Sequence, residues 1–238
     1  MDVLYEDNHI IIVNKRCGEI VQGDKTGDIP LSEMVKEYIK EKYNKPGKVF
    51  LGVVHRLDRP VGGVVVFAKT SKALTRLNEM FRQGDVKKTY WAIVERRKER
   101  KERSVVAEDA NGASSVLLHH WLTRDTKRNM SFAHDREVVG SKEAKLRYEL
   151  LRYGTKYMLL EIHLLTGRHH QIRCQLSKVG LHIKGDLKYG AARSNPDGGI
   201  SLLAHEISFI HPVSKEKISI KAPLPKDSLW EKLINSKV

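Results

Sequence analysis

The chain has 238 residues, 40% hydrophobic and 30% charged, so it can bury a core in one large domain or two small ones. Lys and Arg number 43 against 29 Asp and Glu, a formal net charge of +14 that favours a polyanionic partner, nucleic acid first and an anionic membrane surface second. No apolar run approaches the roughly 20 residues that span a bilayer, the acidic start Met1–Asp7 lacks a signal-peptide apolar region, and Cys17 and Cys174 lack metal-type spacing and fit free thiols in a reducing cytoplasm.

The first predicted element is a hairpin, Val3–Tyr5 and His9–Val13, around Glu6-Asp7-Asn8. Pro30 to Tyr43 reads as a helix, because Leu31, Met34, Val35, Tyr38 and Ile39 recur at helical spacing with Lys and Glu opposite. Two Val- and Phe-rich runs, Val49–Val54 and Val64–Ala68, read as buried strands. Between them lies His55-Arg56-Leu57-Asp58-Arg59-Pro60-Val61-Gly62-Gly63, broken by Pro60, Gly62 and Gly63. Asp58 is therefore expected on a loop between core strands, where a rigid scaffold presents a reactive group. Taken alone, such an Asp reads equally as a turn cap paired with a neighbouring Arg.

Thr70-Ser71 can cap a second helix with an apolar stripe of Leu74, Leu77 and Phe81 and a stop at Gly84. Val86–Glu95 reads as a strand, with Tyr90, Ala92 and Val94 on one face and Trp91 and Ile93 on the other. Glu95–Arg103 is charged at every position, a solvated extension in one reading and a phosphate grip in another. Residues up to about Ser114 look loop-like. Strands are expected at Val116–Leu122, Met130–His134, Ala144–Leu151 and Lys156–Leu165, with a turn at Gly154. A helix is expected from Thr166 with Ile172, Leu176 and Val179 buried and Gly180 as its stop; then come loop punctuation at Gly185-Asp186 and Tyr189-Gly190, strands at Ile200–Ile210 and Ile218–Lys221, and a closing helix at Asp227–Asn235. There is no internal repeat or low-complexity linker, and the order suggests one mixed domain of α and β structure with mostly antiparallel strands.

Three features exceed packing needs: Asp58 in its Arg-flanked loop, Tyr90 beside lysines, and the Arg168–Arg173 stretch at a helix start, where free N–H groups and basic side chains suit phosphate. His119-His120 and His169-His170 are adjacent pairs with no Cys cluster behind them, which argues against zinc. The residues alone give an RNA-binding domain with one suspicious carboxylate.

HRLDRPVGG, KKTY, LLTGRHHQIRCQL, GLHIKGDLKYG and LLAHEISFIHP resemble, in order and spacing, the RluA family of pseudouridine synthases, and DNHIIIVNKRCG is similar to its first motif. The likeness runs from about Glu6 to Pro225. It implies one catalytic domain over 1–238 without an S4-type RNA-binding module, carrying a charged insertion at about 95–114. The implied fold is a largely antiparallel mixed sheet flanked by helices, with the active-site cleft across the sheet. It implies isomerisation of uridine to pseudouridine in tRNA or rRNA, without cofactor or metal; a cytoplasmic monomer needing no protein partner is the default expectation. By the motif match Asp58 is the catalytic carboxylate, as nucleophile or as base at the sugar of a flipped-out uridine. Arg173 matches the arginine that pairs with that Asp, and Tyr90 the tyrosine that stacks on the base. His55, Arg56, Arg59, Arg168, His170 and Gln171 are the RNA-contact candidates, and Leu203 (or Leu202) a pocket wall. Gly62 stands where the family commonly has Ser. Two other readings are a catalytically idle RNA-binding or assembly factor on the same fold, which keeping Asp58, Tyr90 and Arg173 disfavours, and a nucleoside or glycoside hydrolase, which would want a second carboxylate about 5–10 Å away.

Overall fold

The computed structural model describes residues 1–24, 26–96, 105–108 and 114–235. Most of the charged Glu95–Arg103 run lies outside the described residues. The chain divides into two compact units, Met1–Lys88 with Ala204–Pro223, and Thr89–Leu203 with Leu224–Val238.

The first unit is built on two strands that are apolar on both faces. β1 (Asp2–Glu6) and β2 (Ile10–Lys15) form the expected antiparallel hairpin, and β2 then pairs antiparallel with β4 (Gly62–Ala68), from Ile10↔Ala68 to Lys15↔Gly63. Ile10, Ile11, Ile12 and Val13 are fully buried, as are Val65, Val66 and Phe67. Each such side chain contributes about 1.5–3 kcal/mol by leaving water. β4 is followed in the sheet by β11 (Leu202–Ile210), which carries β12 (Lys217–Lys221). Gly63, at φ +119°, allows the approach to β11: a Cβ there would lie 2.3 Å from the Ala204 carbonyl oxygen.

The expected strand at Val49–Val54 shrinks to β3 (Gly52–Val53), which pairs only with Phe67 and Ala68 at the end of β4. The reason is competition, because β2 and β11 flank β4 in the sheet. Helix α1 (Leu31–Lys42) buries Leu31, Val35 and Ile39, the inner half of the predicted stripe. Helix α2 (Ser71–Gln83) starts where the Thr70 side chain accepts the Ala73 N–H and ends at Gly84, left-handed at φ +84°.

In the second unit the sheet order is β5 (Lys87–Glu95), β10 (Tyr157–Leu164), β9 (Lys142–Tyr153), β7 (Ser114–Asp125) and β6 (Val105–Glu108), with β8 (Met130–His134) also on β7. The ladders joining these strands are antiparallel. β6 corrects the loop-like reading of the stretch before Ser114: Val105–Glu108 pairs with Ser114–Leu117, and a four-residue edge strand inside a charged stretch gives almost no periodic signal. Ala92, Ile93 and Val94 are all fully buried, so β5 is covered on both faces here.

Helix α3 is Gln171–Lys178, shorter than the helix expected from Thr166. His170, at φ +51°, turns the chain into it, and residues 166–170 form a turn. Every residue from Gln171 to Leu176 is buried, polar ones included. Helix α4 (Ser228–Asn235) packs Trp230 and Leu233 into the core near β9 and β10. Among the described residues no helix is long and apolar enough to cross a membrane.

Candidate active site

In the first unit, the Asp58 loop is pinned from below by a residue the sequence reading passed over. Lys15, the last residue of β2, is 1% exposed. Its ammonium donates to the carbonyls of Arg16 (3.0 Å), Arg59 (3.1 Å) and Val61 (2.7 Å). Those three bonds satisfy all its donors and hold the backbone just beyond Asp58. The Gly18 N–H also donates to the Arg59 carbonyl at 2.9 Å, and the Val61 N–H to that of Asp58 at 3.0 Å. Burial pulls the Lys15 ammonium down to about 8, while charges at Cys17, Glu19 and Asp58 hold it up. A lysine closing a strand that opens with four apolar residues, Ile10–Val13, was the available signal.

The other loop candidates divide by environment. Arg56 is exposed. Arg59 donates from Nε to the Gly18 carbonyl at 3.1 Å and pairs with Asp28, which fastens the loop to the turn after β2. His55 is part of the wall: its Nε2 accepts the Val66 N–H at 3.0 Å and its ring stacks on Phe81, 4.9 Å between centroids. Burial, with Lys88 nearby, pulls its pKa down to about 3. The ring is therefore neutral with its proton on Nδ1. At Gly62 a Cβ would meet the Lys15 carbonyl oxygen at 3.3 Å, so a serine there would need only a small shift.

The second unit carries the Arg173 cluster. Arg173 is 5% exposed and points its Nε and Nη2 at Asp186 Oδ2 and Oδ1, at 2.7 and 2.8 Å. Asp186 is 1% exposed, and this two-pronged geometry fixes the plane of the guanidinium. Tyr189 lies under it, 5.0 Å from guanidinium carbon to ring centroid. The Tyr189 hydroxyl accepts the Ser131 N–H at 2.7 Å and shares a hydrogen bond with His170 Nδ1 at 2.9 Å. Burial drives the Tyr189 phenol up to about 12, and burial with the Arg173 charge drives His170 down to about 2. The loop that supplies Asp186 and Tyr189 is held tightly. Gly185 and Gly190 have φ +90° and +95°, and a side chain at either would strike Asn195 or His182. These four residues look like loop punctuation in the sequence, yet Gly-Asp and Tyr-Gly twelve to seventeen residues after Arg173 build its support.

The predicted contact residues of this stretch are largely engaged in the turn before α3. Gln171 Oε1 accepts from the Thr166 hydroxyl (2.8 Å) and the Arg168 N–H (2.9 Å), and its Nε2 donates to the Lys145 carbonyl (3.0 Å). Arg168 is exposed and donates from Nε to the Glu143 carbonyl at 2.9 Å. His170 is buried and neutral. One N–H of the expected anion site, that of Arg168, is thus taken by the Gln171 side chain. Tyr90 is 8% exposed on β5, opposite Ile162 of β10, and Leu203 is 3% exposed on β11.

His55 and His170 give the fold a pH dependence. Both lie below the ordinary histidine value in the native state, so between about pH 6.5 and 3 the unfolded chain binds more protons. Their contribution is complete above pH 6.5 and is lost as pH falls. The pair is expected to lower the unfolding free energy by on the order of 2 kcal/mol per pH unit between pH 6 and 4. Urea titrations at several pH values measure this, and His55→Gln, which keeps an acceptor for Val66, should remove about half of the slope. A slope unchanged in that variant would contradict the neutral His55.

The first unit thus presents one carboxylate on an arginine-flanked loop, and the second a guanidinium held in a fixed plane on a small buried helix. The profile of the RNA pseudouridylate synthase family matches residues 9–178, and the chain belongs to that family. It is 31% identical over 240 residues to the ribosomal large subunit pseudouridine synthase D of Xanthomonas campestris pv. campestris, covering 95% of this chain and 67% of that one. It is also 31% identical over 243 residues to the tRNA pseudouridine synthase C of Haemophilus influenzae, covering 99% and 97%. The fold matches the solved structure of human RNA pseudouridylate synthase domain containing 4, with TM-score 0.71 at 22% identity over 97% of this chain and 91% of that one. The chain is accordingly an RNA pseudouridine synthase, an isomerase.

Proposed function

We propose that the chain acts as one catalytic domain that isomerises a uridine in tRNA or ribosomal RNA, with Asp58 as its reacting carboxylate. The observation that carries this is the Asp58 loop, an Arg-flanked carboxylate on backbone fixed by the buried Lys15. The reaction breaks the N1–C1′ bond, turns the uracil over and joins C5 to C1′. The proton on C5 leaves and N1 ends protonated, so atoms and charge balance with no outside reagent. Asp58 acts at the sugar, as nucleophile or as base. Tyr90 stacks on the base. Arg173 is assigned by the motif likeness as the arginine that serves this carboxylate, and the Asp186 fork on its Nε and Nη2 supplies the rigidity that role needs. Of the RNA-contact candidates the exposed Arg56, Arg59 and Arg168 meet the RNA, while His55, His170 and Gln171 hold the segments that carry them, and Leu203 walls the base pocket. The net charge of +14 suits a polymer better than a free nucleoside. The enzyme works as a monomer in the cytoplasm.

Two relatives name different RNAs, a ribosomal large subunit and a tRNA. The test is tritium release from unmodified tRNA and large-subunit rRNA transcripts labelled at C5 of uridine. Release from one pool is expected without added metal or cofactor. No release from either would overturn the reading.

A further inference from the structure

The fold satisfies its other buried cations with oxygen partners. Lys15 has three carbonyls, Arg173 has Asp186, and Lys69 has Glu6 and the Asp7 carbonyl, each at 2.6 Å. Lys88 differs. It is half-buried at the start of β5, with its ammonium 5.6 Å from the Phe81 ring centroid. Among the described residues no carboxylate, carbonyl or hydroxyl hydrogen-bonds it. Burial alone lowers its pKa. A half-buried ammonium held over an aromatic face keeps a desolvation cost that an anion would offset.

Its position says which anion. Phe81 is the ring on which His55 stacks, and His55 opens the segment that leads to Asp58. His55 is fixed as a neutral ring with an Nδ1–H, so it adds a donor beside Lys88 and no competing charge. Strand alternation places Lys88 on the same face of β5 as Tyr90, two residues on. We infer that Lys88 is a phosphodiester anchor, whose ammonium binds a backbone phosphate of the RNA at or beside the uridine presented to Asp58. This rests on the pseudouridine synthase reading, and it adds a positioning residue outside the arginine-rich motifs.

The test is RNA binding in an Asp58→Asn background, with an unmodified tRNA and a large-subunit rRNA transcript as probes, at a series of salt concentrations. Lys88→Met keeps the stem over Phe81 and removes the charge; Lys88→Arg keeps the charge. Loss of one phosphate contact makes the log–log salt slope shallower by about 0.7–1. That change is expected for Lys88→Met with the probe that carries the target, and Lys88→Arg should restore most of the slope. In otherwise native enzyme, Lys88→Met should raise KM more than it lowers kcat. If Lys88→Met leaves the salt slope of both probes unchanged while its thermal unfolding shifts, Lys88 serves only to pack on Phe81 and the anchor is overturned. Tritium release by the native enzyme is read separately. Its absence alongside a Lys88-dependent slope would sink the synthase reading and leave the phosphate contact standing.

Discussion

Asp58→Ala is expected to abolish tritium release from C5-labelled RNA, by at least about 10⁴-fold, while the protein stays folded and RNA-bound. The two halves of that expectation have separate causes. The loop is held through its main chain: the Asp58 carbonyl accepts from Val61, and Lys15 grips the carbonyls of Arg59 and Val61. These bonds are made by main-chain carbonyls and survive truncation of the Asp58 side chain, so the loop should keep its course in the variant. Lys15→Met would be the opposite kind of change, with the carboxylate present and its support removed. Measurement needs native enzyme and Asp58→Ala side by side, in tritium release, urea unfolding and RNA binding. Full release by the variant would mean that another carboxylate reacts.

The second large effect is expected at Asp186. Asp186→Ala removes the carboxylate that two Arg173 nitrogens engage in an interior where both side chains are at most 6% exposed. Breaking a buried pair from one side typically costs about 3–5 kcal/mol. Urea unfolding should show a loss of that size, together with low activity because the guanidinium plane is no longer fixed. The double variant Arg173→Met with Asp186→Leu separates the two effects. Apolar replacement of both partners should recover most of the stability and none of the activity. A single Asp186→Ala variant as stable as the native protein would show that the fork does not support Arg173.

Local signals were legible where neighbouring residues alone decide the outcome. The stripe of α1, the Thr70 cap and Gly84 stop of α2, and the β1–β2 hairpin follow from short-range pattern, and the structure has them within a residue or two. The Asp58 loop was legible for a similar reason, because Pro60, Gly62 and Gly63 interrupt an apolar run beside charged residues. What stayed hidden depends on partners far along the chain. Lys15 looks like the end of a strand until the Arg59 and Val61 carbonyls, 44 and 46 residues later, arrive above it. Asp186 looks like a turn residue until Arg173 folds onto it. The late start of α3 comes from one side chain, Gln171, closing the preceding turn through three hydrogen bonds. β3 was overestimated because a run of apolar residues says nothing about how much free strand edge remains for it.

The most direct test of the account is product analysis of RNA treated with the native enzyme. Unmodified tRNA and large-subunit rRNA transcripts would be incubated without added cofactor, digested to nucleosides and separated. Pseudouridine is expected to appear as uridine disappears, one for one, with no free uracil. Free uracil and an abasic site, or no change in either RNA, would contradict it.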